Sequence, residues 1–122
     1  MNKTINIWGR NCKLKVFFDV YEGEEVLEAQ VRALDSFMNA ADKLFASYKE
    51  LESYCIHKDG ELIGDSIENI FKYVKPESIY VKRNNKTRVV ALLCNYRFDE
   101  EHGIVLVYEN EKLKHIGTQD DI

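Results

Sequence analysis

Residues Thr87–Phe98 constrain this chain most. Val90, Leu92, Cys94 and Tyr96 lie at one parity, and Val89, Ala91 and Leu93 at the other. Successive side chains of a strand point to opposite faces, so this segment is apolar on both. A strand of that kind belongs at the centre of a sheet. Ile104–Tyr108 is similar. Ser78–Lys82 reads as a strand before the turn Arg83-Asn84-Asn85-Lys86. Lys112–Ile116 follows the turn Glu109-Asn110-Glu111, and its Lys112, Lys114 and His115 suit an exposed edge. Near the start, Ile5 and Ile7, then Leu14, Val16, Phe18 and Val20, alternate with polar residues. That period predicts a hairpin of about residues 3–8 and 12–21, turning at Gly9-Arg10-Asn11. Phe17 and Tyr21 on the other face of the second strand point to partial cover there.

Between the two strand blocks the period changes to three or four. Leu27, Gln30/Val31, Leu34, Phe37/Met38, Ala41, Leu44/Phe45, Tyr48, Leu51 and Cys55 keep one helical phase. The run is long for one globular helix. Asn39-Ala40-Ala41-Asp42 is the best break, with Asp42 as cap, giving helices of about 25–39 and 42–57; one bent helix is the alternative. Asp59-Gly60 then ends the segment. A third helix is expected after Asp65, which stands three residues before Glu68 in a capping-box spacing. Its stripe is Ile67, Ile70, Phe71 and Val74, and Pro76 ends it. Strands, then a helical block, then strands predict an α+β fold. The expected object is one domain, 1–122, with an antiparallel sheet of five or six strands and two or three helices packed on one face. Leu92, Cys94, Leu34, Phe45 and Phe71 are expected in its core.

With 45% apolar and 31% charged residues, the chain has ordinary globular composition, which argues against disorder. No stretch approaches the roughly 18 consecutive apolar residues of a membrane span, and no apolar region follows the charge near Met1, so no signal peptide is expected. Three widely spaced cysteines, Cys12, Cys55 and Cys94, fit reduced thiols in a cytoplasm. The net charge of −4 disfavours general nucleic-acid binding. Residues 1–96 hold 14 basic and 14 acidic residues, so the imbalance comes wholly from residues 97–122, with three basic and seven acidic. A second acidic run spans Asp19, Glu22, Glu24, Glu25 and Glu28, and a basic run spans Lys72 to Arg88. Such runs are ordinarily solvated faces; segregated charge can also steer a partner of opposite sign.

Motifs for catalysis are lacking. The chain has no Cys-x-x-Cys, no His-Glu-x-x-His, no glycine-rich phosphate loop and no Gly-x-Ser-x-Gly elbow. No catalytic residue, cofactor or metal site is therefore assigned. Asp99-Glu100-Glu101-His102-Gly103 is the one unusual cluster. Neighbouring residues rarely face one ion, so it reads as a polar connection. Gly103 permits a turn with positive φ, and the His102 ring folds back onto a carboxylate or carbonyl. The Lys82–Arg88 tip, near Tyr80, reads as a charged hairpin that protects an edge, with nucleic-acid contact as the other possibility.

From Pro76 onward the chain resembles a large bacterial family of uncharacterised small domains. The matching residues are Ile79-Tyr80-Val81, Leu92-Leu93-Cys94-Asn95-Tyr96-Arg97-Phe98-Asp99-Glu100-Glu101-His102-Gly103-Ile104, Leu113-Lys114-His115-Ile116-Gly117 and Asp120. Gln30-Val31-Arg32-Ala33-Leu34 is similar to a helix that such domains carry after their first strands. Members are often encoded beside polymorphic or contact-dependent toxins and are taken to be immunity proteins. The resemblance thus implies a non-enzymatic cytoplasmic protein that binds a cognate toxin C-terminal domain. Asp99, Glu100, Glu101, Glu109, Glu111 and Asp120 are the expected contacts. A housekeeping small-ligand or nucleic-acid-binding module using the basic hairpin is the alternative.

Overall fold

The computed structural model describes residues 1–40, 47–84 and 86–121, without the side chain of Asp121. Six strands form one sheet in chain order. They are β1 (Asn2–Ile7), β2 (Arg10–Phe18), β3 (Val74–Val81), β4 (Val89–Tyr96), β5 (Ile104–Glu109) and β6 (Lys112–Gly117). Among the described residues two α-helices, α1 (Glu28–Met38) and α2 (Tyr48–Ile63), lie in sequence between β2 and β3. The fold is α+β. Among the described residues, no helix is long and apolar enough to cross a membrane.

The strands contribute one parity to the core. Ile5, Ile7, Leu14, Val16, Ile79, Val81, Leu92, Cys94, Tyr96, Ile104, Leu106 and Tyr108 pack in one cluster with Leu34, Phe37, Leu51 and Cys55 from the helices. Burial of this layer is the main favourable term. β4 is central, as its two apolar faces require, and Leu92 is fully buried. Phe71 is only half-buried, lying against Trp8 and under the Arg10 guanidinium. The expectations for Phe45 and for Asp42 as cap lie outside the described residues.

The sheet is mixed rather than antiparallel. β2 and β3 run parallel, pairing Lys15 with Ser78 through Phe18 with Val81. A parallel pair needs a long crossover, and the helical block supplies one. Periodicity shows that two strands exist and says nothing about the direction in which a crossover returns the chain.

Three local differences have identifiable causes. First, β1 and β2 turn at Trp8-Gly9, both with positive φ (50° and 84°), so Arg10 already pairs with Ile7. Two-residue turns of this kind match strand twist, and Trp8 is held there by burial and by its indole N–H donating to the Ser47 Oγ at 3.4 Å. Second, α2 passes Asp59-Gly60. Asp59 leaves helical geometry (φ −132°, ψ 32°), and its carboxylate accepts the Tyr96 hydroxyl at 2.6 Å. The Asp-Gly signal is thus absorbed as a kink, and the helix ends before Gly64 (φ 102°). Third, no α-helix forms after Asp65. The Asn69 side chain accepts the Phe71 N–H and starts a single 3-10 turn, Ile70–Lys72. Pro76 lies inside β3, at an irregularity in its register with β4 and before the pairing with β2 begins, where a missing N–H is tolerated.

Gln30 joins these layers. It is fully buried on α1. Its Nε2 donates to the carbonyls of Asp19 (3.1 Å) and Val81 (3.2 Å), at the ends of the parallel strands, and its Oε1 accepts the Leu27 N–H at 2.9 Å. The Gln30→Ala change removes the side-chain partner of the Asp19 carbonyl and the Leu27 N–H, while the Val81 carbonyl keeps the Asp19 N–H at 2.9 Å, so equilibrium unfolding should show a loss of about 1–3 kcal/mol. Gln30→Glu keeps the acceptor and places a carboxylate against two carbonyls. It should be at least as damaging at pH 7, with partial recovery as acid protonates the new side chain. Wild-type stability in both variants would remove Gln30 from this role.

Candidate functional site

The acidic C-terminal third does not form one face. β5 carries the chain from Asp99, Glu100 and Glu101 at one end of the sheet to Glu109 and Glu111 at the other, and β6 brings it back to Asp120. The six expected contacts therefore divide. Asp99, Glu100, Glu101 and Asp120 share one end, and Glu109 and Glu111 occupy the opposite one. Glu111 has a structural task. In the β5–β6 turn both Asn110 and Glu111 have positive φ (50° and 65°), a costly geometry for a side chain like Glu. Arg88 locks the turn through Nε and Nη2 donating to the Glu111 carboxylate at 2.8 and 3.0 Å, while the Asn110 Oδ1 accepts the Arg88 N–H at 3.1 Å.

The other end is a built turn. The Asp99 carbonyl accepts the Gly103 N–H at 2.9 Å, and the Asp99 Oδ1 accepts the His102 N–H at 3.2 Å. The His102 Nδ1 lies 3.1 Å from the same carboxylate, so the ring does fold back onto a carboxylate. Gly103 has φ 63°, and a Cβ there would sit 2.5 Å from the Cys94 carbonyl oxygen. Below the turn Phe98 stacks on Tyr73 and meets Tyr96 edge-on, both at 5.7 Å. The Gln119 N–H donates to the His102 carbonyl at 3.1 Å and returns the C-terminal segment to the turn. That bond brings Asp120 near His102 and Glu101. Glu100, Glu101 and Asp120 are exposed, whereas Asp99 is half-buried and committed to His102.

The basic run also divides. Lys72, Lys75 and Arg97, with Tyr73, Asn95 and Glu100, line an open cavity of about 620 Å³ beside the acidic turn. Lys82–Arg88 joins two inner strands at the far end and protects no edge. There Arg83 donates to the Glu25 carbonyl at 2.9 Å and pairs with Glu24 at 3.5 Å. Arg83 and Arg88 of the basic run are thus paired with acidic residues from other parts of the chain. Sequence reasoning missed the Lys72–Lys75–Arg97 grouping because Arg97 follows β4 and reaches the others only through the β3–β4 pairing. Cys55 and Cys94 are core residues, as expected, and all three thiols are unpaired with one another. Burial pushes the Cys55 thiol up to about 11 and Cys94 well above its usual value, so neither is poised as a nucleophile. Among the described residues no three His, Cys, Asp or Glu side chains converge as metal ligands.

Hydrogen bonding to Asp99, then its charge, raises the His102 pKa above its usual value, and Glu101 and Asp120 add to the rise. The His102 backbone N–H, and then its ring, lower the Asp99 pKa. The stabilisation from a raised histidine is complete below about pH 6.5 and is lost as pH rises through its folded pKa; that from a lowered aspartate is complete above about pH 4 and is lost as pH falls through its folded pKa. The pair therefore contributes most between about pH 4 and 6.5. An NMR titration should place His102 above its usual value, and Asp99→Asn should move it down without removing the part due to Glu101 and Asp120. An unchanged titration would break the pairing. Gly103→Ala combines an unfavourable φ with a backbone collision, so denaturant unfolding should show a loss of about 2 kcal/mol or more.

The family model whose description reads Domain of unknown function (DUF6985) matches residues 1–122. Neither the comparison with curated proteins nor that with solved structures gave a match. A turn locked by Gly103, a helix bolted by Gln30 and a six-stranded mixed sheet are thus the features of a chain that belongs to the DUF6985 family of domains of unknown function.

Proposed function

We propose that this chain is an immunity-type binding protein that neutralises a cognate toxin domain, a nuclease by preference, inside the cell that produces both. It acts by occupying the toxin surface and catalyses nothing. Two things support the reading. One is the likeness of the Asp99–Gly103 turn and the Gly117–Asp120 tail to toxin-associated domains. The other, which carries it, is the gathering of Glu100, Glu101 and Asp120 on a backbone fixed by Asp99, Gly103 and Gln119. Nuclease toxins are basic because they grip phosphates, and a preorganised acidic end meets such a surface with fast, salt-sensitive association. Glu109 and Glu111 belong to the opposite end and drop out of this contact set.

Glu100→Gln with Glu101→Gln and Asp120→Asn should leave the fold within about 0.5 kcal/mol of wild type, since all three are exposed. The association rate with the toxin C-terminal domain encoded beside the gene should fall, and its dependence on ionic strength should flatten. Glu28→Gln with Asp35→Asn, on α1, is the control and should do neither. Stopped-flow association over a salt series reads both. If the control slows association and the acidic-end variant does not, the faces are misassigned; if wild type neither binds nor protects against the toxin, the immunity reading fails.

The runner-up is a small-ligand module. It is favoured by the cavity lined by Lys72, Lys75, Arg97 and Tyr73, which suits an anionic compound. Calorimetry with inorganic phosphate and a nucleotide, compared with Lys75→Gln, separates it from the first reading.

A further inference from the structure

Among the described residues, the helices pack on one face of the sheet and leave the opposite face without a helix. On that face one cross-strand row runs Phe17, Tyr80, Ala91, Val107, His115, set by the pairings of β2 through β6. Ala91 is fully buried by its neighbours, Tyr80 and Val107 are partly buried, and Phe17 is 51% exposed. Leu93 extends the partly exposed apolar area on one side of the row and Val89 on the other, while Val105, beside Leu93, is fully buried. A contiguous apolar surface on a small domain marks an interaction site.

The charges along β2 indicate the occupant. Its outward parity reads Lys13, Lys15, Phe17, and the chain then continues to Asp19 and Tyr21. Asp19 and Tyr21 lie close to the Tyr80 hydroxyl, which belongs to this face. Tyr21 is 74% exposed, and Glu22 and Glu25 are exposed beside it. The loop holding them is braced. The Tyr21 N–H donates to the Glu24 carboxylate (2.9 Å), the Glu24 N–H donates to the Tyr21 carbonyl (3.0 Å), and Arg83 donates to the Glu25 carbonyl. The outward line is thus basic, then aromatic, then acidic.

We propose that the open sheet face binds a second copy of this chain, face to face, about a two-fold axis lying along the Phe17–His115 row. Such an axis reverses β2 over its own copy. Phe17 meets Phe17, and the Lys13–Lys15 half of each copy faces the Asp19–Glu25 half of the other. Self-complementarity of this kind is what an isologous interface requires. Six strands about 4.8 Å apart and six to nine residues long present a footprint on the order of 600 Å², the same order as the roughly 800 Å² per partner of a standard interface. The acidic end stays outside this contact.

Sedimentation equilibrium of the full chain over about 5–500 μM tests the proposal. Wild type should form dimers that weaken as salt rises. Phe17→Ser should shift the dimerisation midpoint at least about tenfold higher in concentration. Lys13→Glu with Lys15→Glu makes the line acidic throughout, and Glu22→Lys with Glu25→Lys makes the loop basic. Each should be monomeric alone, and their equimolar mixture should recover a dimer. All four positions are exposed, so these variants keep the fold even where Phe17→Ser does not. A wild type that stays monomeric throughout overturns the proposal. So does a dimer that survives both charge reversals, or a mixture that fails to associate.

Discussion

The structure depends on one buried side-chain amide. Gln30 is the only residue of α1 that can both accept from the N–H of Leu27 and donate to the carbonyls of Asp19 and Val81. At the end of the parallel pair the Asp19 N–H donates to the Val81 carbonyl at 2.9 Å and the Arg83 N–H to the Asp19 carboxylate at 3.3 Å. Gln30 ties α1 to this junction and sets where the helix crosses the sheet. An apolar residue there would pack yet take the side-chain partner from the Asp19 carbonyl and the Leu27 N–H, and a carboxylate would meet two carbonyl dipoles of the wrong sign. Because the position is buried, the penalty for an unmade bond is larger than the gain from a made one, so the junction has little tolerance.

Polar bolts of the same kind recur at the other corners. Ser47 and Tyr108 share a buried hydrogen bond at 2.8 Å beneath Trp8. Tyr96 reaches Asp59 and accounts for the kink in α2. Arg83 and Arg88 hold the loop after β2 and the β5–β6 turn. The acidic and basic runs, separate along the chain, meet through these contacts. Glu100, Glu101 and Asp120 at one end, and Lys13 and Lys15 on the outward line of β2, stay exposed, and these are the charges on which binding is proposed.

The two proposed surfaces are physically different. The acidic end is exposed and polar, and would act mainly on association rate. The open sheet face is apolar with complementary charge at its flanks, the composition of an interface core and rim. Face-to-face pairing of two copies leaves both acidic ends free, so one surface does not exclude the other.

Short-range chemistry was legible in the sequence. The α+β class, the six strands, the central place of β4, the edge place of β6, the end of α1 at Asn39 and the turn at Gly103 all follow from side-chain period and from residues with restricted or permissive backbones. So did the return of His102 onto a carboxylate, because its partner Asp99 is three residues away. The sequence could not show that β2 and β3 are parallel, because the direction of a crossover is set by packing between elements. It overstated the helix after Asp65, where capping chemistry was read without knowing that Val74 had to enter β3. It also grouped six carboxylates that adjacency on the chain made look like one face. Antiparallel strands send residues eight apart to opposite ends of a sheet and bring residues nineteen apart together, so Glu101 parted from Glu109 and joined Asp120 only when β5 and β6 paired.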